Sequence, residues 1–236
     1  MIVRFEELDW QETRMGELTL RRRTDSETGE LIYEVKLGDE YLMSSLFTVA
    51  EEELARLGLA ATVGDSLTVL VGGLGLGYTA VTALADARVV HLDVIDALPA
   101  VIGWHERHLL PVSATLVDDP RTALVHGDFF AVMRRPAERD EVLYDAILLD
   151  VDHSPRHTLD PTHADLYTET GLRHLADRLA DRGVFALWSD DPPDADFQTV
   201  LASVFDEARA HEVTFDNRLT GGTSSNTVYV ARRRSI

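Results

Sequence analysis

The sequence predicts an α/β protein whose sheet is mostly parallel and covered by helices on both faces. From residue 66 onward, apolar segments of strand length alternate with helix-length segments through short connections, as in parallel sheets. Seven strands are expected, at residues 66–71, 89–95, 123–126, 145–149, 183–188, 212–215 and 227–231. The last two are expected to pair antiparallel, because only a loop joins them. Helices are expected to begin near Tyr78, Leu98, Phe129, Thr168 and Asp196.

The first 60 residues show a different pattern, that of a small antiparallel β unit. Residues 17–23 and 31–37 alternate apolar and polar side chains around a turn-rich stretch, which is typical of a hairpin. Thr48 can then cap a helix that leads into the parallel sheet. We therefore predict a β hairpin unit with its linking helix at residues 1–60 and the larger domain at residues 61–236.

Composition and charge exclude several classes of protein. The 236 residues include no cysteine, which excludes disulfides, thiolate catalysis and cysteine-ligated metal. The formal net charge of -19 opposes binding to phosphate backbones, and no apolar stretch reaches the ~18 residues of a membrane span. We expect a cytoplasmic protein that binds neither nucleic acid nor membrane. The arginine runs at 21–23 and 232–234 are expected to be solvated strand ends.

A glycine-rich turn after the first parallel strand predicts a nucleoside site. Gly73, Gly75 and Gly77 fall at every second position, and Asp96 ends the next strand. Such glycines let the backbone approach a ligand, and the carboxylate can accept both hydroxyls of a ribose. A dinucleotide site would have its third glycine where Tyr78 stands, so the spacing favours S-adenosylmethionine over NAD. The glycines could also serve the turn alone, with no ligand.

Two further acidic motifs follow later strands of the same sheet. Asp128, after Gly127, could accept a hydrogen bond from an adenine amino group while Phe129 covers the base. It could equally do no more than cap the helix that begins there. Asp150 and Asp152 close the next strand, which would place them beside the reactive carbon of a cofactor held across the first three strands. Helix caps or solvated loop positions are the alternative for these two.

Together these motifs resemble those of the spermidine synthase family of class I S-adenosylmethionine-dependent transferases. The resemblance runs from about residue 17 to 231 and includes Asp119-Pro-Arg121 and a Tyr-Asp-x-Ile-x-x-Asp segment. It implies a doubly wound Rossmann-like class I methyltransferase fold and a homodimer joined through the N-terminal unit. The implied cofactor-binding residues are Gly73, Gly75, Gly77, Asp96, Ala97, Gly127, Asp128, Phe129 and Asp150, with Asp150 also the catalytic aspartate.

The sequence departs from the family at Leu76, where the family has an aspartate that holds the amine of an aminopropyl donor. A terminal ammonium buried against leucine would be unpaired, at a cost of several kcal/mol. The carboxylate of intact S-adenosylmethionine could instead bind backbone N–H groups. We therefore expect methyl transfer to a small amine, which can be cationic. The alternatives are aminopropyl transfer from decarboxylated S-adenosylmethionine to a polyamine, and a catalytically inactive nucleoside-binding homologue.

Acceptor-binding residues are predicted after the fourth parallel strand and at the end of the fifth. Asp150 would orient the amine and take its proton, and Asp152 would hold a more distant positive group. His153 and Tyr167 bound the loop where an acceptor belongs, and Trp188 could cover a cation or simply fill the core. The spacing in this loop matches no closed metal site, so we expect no metal. The metal ligands considered are Asp152, His153, His157, Asp160 and His163.

Overall fold

The structure, a computed structural model, describes residues 5–13, 16–138 and 141–235. Its N-terminal part is a four-stranded antiparallel sheet in the order β1-β2-β3-β4. The strands are β1 (Phe5–Thr13), β2 (Gly16–Thr24), β3 (Leu31–Leu37) and β4 (Glu40–Ser44). The sequence did not predict β1, because its register shifts between Glu7 and Asp9 and interrupts the alternation of side chains.

The larger part is a seven-stranded sheet in the order β10-β11-β9-β8-β5-β6-β7. Five strands are parallel, and β10 and β11 pair antiparallel at one edge, as the short connection between them predicted. The strands are β5 (Leu67–Gly72), β6 (Val89–Asp96), β7 (Thr122–His126), β8 (Tyr144–Leu149), β9 (Leu179–Ser189), β10 (Asp206–Asn217) and β11 (Gly222–Arg232).

Seven α-helices cover the two faces of this sheet within the described residues. They are α1 (Val49–Ala61), α2 (Tyr78–Leu84), α3 (Pro99–Glu106), α4 (Ser113–Val117), α5 (Phe129–Arg134), α6 (Glu169–Ala176) and α7 (Ala195–Val204). A 3-10 helix spans Pro161–Tyr167. The sequence did not predict α4 or the 3-10 helix, both of which are short.

The core forms two clusters, one on each face of the large sheet. Alternate residues of β8 show the division: Leu148 belongs to the cluster beneath α1, whereas Ile147 belongs to the cluster beneath α5, α6 and α7. Leu18 and Val35 of the small sheet lie in the first cluster, together with residues of α1. The two sheets therefore share one hydrophobic core cluster. The domain limit at residues 60 and 61 falls at the end of α1 and stays a prediction.

Side-chain contacts hold the small sheet against the large one. Asp9 of β1 accepts hydrogen bonds from Trp104 Nε1 at 2.6 Å and from Arg107 at 2.7 Å, both on or next to α3. At the other end, the ring of Phe47 lies 5.7 Å from that of Phe215. These contacts place β4 over the carboxyl ends of the parallel strands, where ligands bind in such sheets.

The two arginine runs are tied into ion pairs rather than simply solvated. Arg21 and Arg23 both lie 2.8 Å from the buried carboxylate of Glu34. Arg232 lies 3.2 Å from Glu207, and other members of the runs contact acids or carbonyl groups. Their charge is thus balanced locally. None of the helices in the described ranges is long and apolar enough to cross a membrane.

Candidate functional site

The glycine turn lies between β5 and α2 at the centre of the large sheet. Gly73 has φ +94, and a Cβ on it would lie 2.1 Å from the carbonyl oxygen of Asp150. Gly77 has φ +91, and a Cβ there would lie 2.8 Å from the ring of His105. Residues with a side chain rarely adopt such positive φ angles, and a Cβ at these distances would clash with the neighbouring atoms. The turn therefore needs its glycines whether or not a ligand is bound, so their presence alone does not prove a nucleoside site.

The small sheet forms one wall of the space above this turn. Met43 Sδ of β4 lies 2.9 Å from where a Cβ on Gly75 would be. On the other side, His105 Nε2 lies 3.0 Å from the carbonyl oxygen of Gly75. Burial lowers the pKa of His105, which keeps the ring neutral and suits it to donate a hydrogen bond to that oxygen. The turn is thus fixed from both sides.

Asp96 lies beside the turn, as the sequence predicted. Its carboxylate accepts hydrogen bonds from the backbone N–H groups of Leu74 at 2.9 Å, Gly75 at 3.5 Å and Leu98 at 2.8 Å. Burial raises the pKa of Asp96, and these three donors oppose that rise. The carboxylate therefore stabilises the turn. A ribose would have to share it with these amides.

The third predicted motif, Gly127 and Asp128, lies at the rim of the space above the glycine turn, which we call the crevice. Asp128 is exposed and accepts a hydrogen bond from Ala131 N at 2.9 Å, so it caps α5. Gly127 N donates to the carbonyl oxygen of Asp96 at 3.0 Å, which ties this rim to the end of β6. The ring of Phe129 is only 3% exposed and lies beneath Gly72. In this geometry Phe129 supports β5 from the core and does not cover a base with its ring.

Asp150 stands directly after β8, next to the turn. Its N–H donates to Gly72 O at 2.8 Å, and its Oδ2 accepts a hydrogen bond from the hydroxyl of Thr79 at 2.6 Å. Burial raises the pKa of Asp150 to about 6, although the hydrogen bond from Thr79 opposes the rise. A carboxylate with such a pKa is a stronger base than one in water, and it lies directly beside the glycine turn.

Glu51, in the first turn of α1, is a second acid at this point that sequence reasoning did not identify. Thr79 Oγ1 lies 3.2 Å from the carbonyl oxygen of Glu51 and so bridges α1 to Asp150. Burial and the charge of Asp150 raise the pKa of Glu51 to about 8. Within the described part of the chain no arginine, lysine or histidine pairs with it. Among the described residues, Glu51 and Asp150 thus form a pair of carboxyl groups with which no cation is paired.

Stability should depend on pH through Glu51. The unfolded chain loses this proton near the ordinary pKa of 4.5, whereas the folded chain keeps it up to about 8. The folded state therefore binds more protons in this interval, and its stability falls as pH rises through it. We expect Glu51→Gln, which cannot ionise, to raise the free energy of unfolding at pH 8.5 by at least ~1 kcal/mol, or about 2–4 °C in melting temperature. At pH 5 the gain should largely vanish.

A neighbouring variant separates this effect from a general change in charge. Glu53→Gln removes a charge from the same helix, but Glu53 lies 2.8 Å from Arg56. It should give no gain in melting temperature at pH 8.5. If the melting temperature of Glu51→Gln followed the same dependence on pH as that of wild type, the raised pKa of Glu51 beside Asp150 would be contradicted.

The structure does not support the acceptor-binding roles predicted for Asp152 and Tyr167. Asp152 is fully buried and accepts hydrogen bonds from Leu159 N at 2.8 Å, His163 Nδ1 at 2.8 Å and the hydroxyl of Tyr167 at 2.7 Å. Tyr167 is 7% exposed. These side chains hold the loop after β8 in place, and their polar groups are bonded to one another and to that loop. The chain turns away from the sheet after Asp150, which a sequence pattern could not reveal.

His153 and Trp188 lie nearer to the open space. His153 Nε2 is 3.7 Å from Glu40 Oε1, so the loop after β8 reaches the small sheet. Trp188 packs against the core that α1 covers, as its alternative interpretation predicted, and is only partly buried. Its Nε1 is buried and has no hydrogen-bond partner among the described residues. A buried N–H group without an acceptor costs free energy, and a ligand atom that accepts from this N–H would remove that cost. Acceptor binding by both residues stays a prediction.

The histidines and acids of the loop are engaged elsewhere. His157 pairs with Asp191 at 3.0 Å, and Asp160 caps the 3-10 helix through Thr162 N. His163 is held by Asp152, as described above. Over residues 5–13, 16–138 and 141–235, no three His, Asp or Glu side chains are placed to hold a metal ion.

A separate groove of ≈ 670 Å³ lies between α1 and α2, on the far side of Tyr78. Its charged residues are already paired, Arg56 with Glu52 at 2.6 Å and Arg88 with Asp86 at 2.7 Å. It contains neither Asp96 nor Asp150. We therefore place the candidate active site at the strand ends and not in this groove.

Comparisons with known proteins were made by sequence and by structure. No model of a known protein family matches the sequence. The chain is 30% identical over 162 residues to polyamine aminopropyltransferase 2 of Pseudomonas aeruginosa, a match that covers 64% of this chain and 43% of the relative. The chain thus spans less than half the length of the curated relative that it matches.

Solved structures resemble most or nearly all of the fold. The spermidine synthase of Thermotoga maritima superposes with a TM-score of 0.73 at 19% identity, covering 98% of this chain and 74% of that one. Human methyltransferase-like protein 13 in complex with SAH gives a TM-score of 0.57 at 16% identity, covering 78% of this chain and 82% of that one.

The chain therefore has a class I methyltransferase-like fold, which confirms the fold predicted from its strands and turn. The chain is similar in sequence to a polyamine aminopropyltransferase and in fold to a spermidine synthase, which confirms the resemblance that its motifs indicated.

Proposed function

We propose that the protein is a transferase that uses a sulfonium nucleoside, and that it moves an aminopropyl group from decarboxylated S-adenosylmethionine to a small amine. The observation that carries the proposal is the pair of carboxyl groups of Glu51 and Asp150 beside the glycine turn. Both the aminopropyl donor and an amine acceptor bring positive charge to this point. The name of the curated relative supports the same reaction.

This proposal replaces the methyl transfer that the sequence favoured. That expectation rested on Leu76, which leaves the donor ammonium without a partner in the glycine turn itself. Leu76 is 6% exposed and packs into the core cluster under the small sheet. The acid that the turn lacks has a substitute in Glu51, which comes from α1. The charge argument against the decarboxylated donor therefore loses its basis, although the methyltransferase fold of some neighbours keeps methyl transfer as the second candidate.

The reaction is an in-line displacement at the carbon attached to sulfur. The acceptor nitrogen forms the new N–C bond while the C–S bond breaks and its electron pair goes to sulfur, which becomes neutral. An alkylammonium, with a pKa of about 10.4 in water, must lose a proton before its nitrogen can attack. Asp150 is placed to take that proton directly or through water, and burial has strengthened it as a base.

The remaining site residues would bind and orient the nucleoside. The carboxylate of Asp96 would bind the ribose, and the glycines of the turn would let the nucleoside approach the backbone closely. The ammonium of the aminopropyl group would lie beside Asp150 and Glu51, and Gly127 and Asp128 would flank the adenine. Holding the sulfonium carbon in line with the acceptor nitrogen supplies much of the catalysis in such displacements.

Product masses test the proposal directly. The protein is incubated with small mono- and diamines and with either decarboxylated or intact S-adenosylmethionine, and each amine is examined by mass spectrometry. We expect acceptors heavier by one aminopropyl unit, together with methylthioadenosine, from the decarboxylated donor only. Methylated amines from the intact donor would overturn the choice of reaction. No product from either donor, with the nucleoside still bound, would indicate an inactive homologue.

A further inference from the structure

Thr79 occupies a position that the proposed reaction does not by itself explain. It is 3% exposed, lies in the first turn of α2, and touches both Asp150 and the main chain of α1. We propose that Thr79 is a positioning residue: its hydroxyl fixes Oδ2 of Asp150 and turns Oδ1 toward the crevice. The same hydrogen bond favours the ionised form of Asp150 over that of Glu51. The kinetic part of this inference rests on the proposed function, whereas the structural part does not.

The geometry decides where the hydroxyl hydrogen goes. Thr79 has one hydrogen to donate and two acceptors in range, Asp150 Oδ2 at 2.6 Å and the carbonyl oxygen of Glu51 at 3.2 Å. The shorter contact has the length of a charge-assisted O–H···O⁻ bond. Threonine is also stiff at its first side-chain torsion, and its burial limits it further. Among the described residues, no other side chain donates a hydrogen bond to Asp150.

The surrounding charges make this single bond important. Glu52 of α1 adds to the repulsion on Glu51, and burial raises the pKa of Tyr78 of α2, which keeps that hydroxyl neutral. Burial opposes ionisation of both members of the pair, and no cation in the described ranges pairs with either. The two acids therefore compete for one proton, and the hydrogen bond from Thr79 stabilises only the ionised form of Asp150.

The removal of the hydroxyl should shift this competition. In Thr79→Val the side chain keeps its shape but donates nothing. We expect the lower of the two titration steps, seen at the Asp150 carboxyl, to rise by about one pH unit or more and to become shared with Glu51. Thr79→Ser should restore the wild-type titration. Thr82→Val, which removes a hydroxyl from the same helix away from the acids, should change nothing.

Carbon-13 NMR of the side-chain carboxyl groups measures these steps in the nucleoside-free protein. Asp150→Asn and Glu51→Gln assign the signals, and Thr79→Ala replaces Thr79→Val if the latter fails to fold. Identical titration curves for wild type and the hydroxyl-free variant would overturn the proposal, whatever the transfer assay shows. If transfer is found, the acid limb of kcat against pH should move upward in Thr79→Val by the same amount. An unchanged limb would overturn the kinetic part alone.

Discussion

Replacing Asp150 with asparagine should lower kcat for transfer by about 10²–10⁴. Asparagine has nearly the same shape and can still accept a hydrogen bond from Thr79, but it cannot take a proton. The acceptor would then have to reach the site already deprotonated, which is rare for an alkylamine at neutral pH. The measurement is kcat against pH for wild type and variant, with saturating nucleoside.

Two features separate loss of the base from loss of the fold. Methylthioadenosine should bind Asp150→Asn nearly as well as wild type, because that nucleoside lacks the aliphatic ammonium that the carboxylate would hold. The wild-type rate should rise with pH through about 6, as Asp150 loses its proton, and the variant should lack this limb. Asp118→Asn, at an exposed position after α4, is the matched control. If Asp150→Asn keeps more than about a tenth of the wild-type rate, Asp150 is not the base.

Replacing Gly73 with alanine should destabilise the protein by about 3 kcal/mol or more. The new Cβ would meet the carbonyl oxygen of Asp150 at 2.1 Å, on a backbone with φ +94. That oxygen cannot easily move, because the N–H of the same residue is bonded to Gly72 O at 2.8 Å. We expect the melting temperature to fall by about 6–12 °C and the affinity for methylthioadenosine to fall with it.

Gly103 provides the control for a glycine-to-alanine change. A Cβ there has nothing within 4 Å, and the residue lies inside α3. Gly103→Ala should leave nucleoside binding unchanged and raise stability by up to about 1 kcal/mol, since alanine favours a helix. A Gly73→Ala variant with wild-type melting temperature and affinity would show that the turn does not have the described geometry.

Much of the fold could be predicted because its signals are local. Continuous apolar runs such as 145–149 are typical of buried parallel strands, and all seven predicted strands of the large sheet are present. Asp96 was placed correctly because it ends a strand next to the turn. The strand β1 was missed for an equally local reason, its irregular register at Glu7 and Asp9.

The site was harder to predict because it depends on contacts between distant segments. Asp150 and Asp152 look equivalent in sequence, but the chain bends between them and buries Asp152 among loop groups. Glu51 looked like an ordinary acid in the first turn of a helix, since nothing local shows that Thr79 and Asp150 pack against that turn. The predicted homodimer, which rests on resemblance alone, stays a prediction.

The central claim is that a sulfonium-type nucleoside binds across the ends of β5, β6 and β7. Titration of the ¹⁵N-labelled protein with methylthioadenosine, followed by amide NMR, tests it most directly. The amide signals of the glycine turn at 73–77, of Asp96 and of Gly127 should move together along one saturable curve. Shifts confined to the amide signals of residues that line the groove between α1 and α2, or no shifts at all, would contradict the claim.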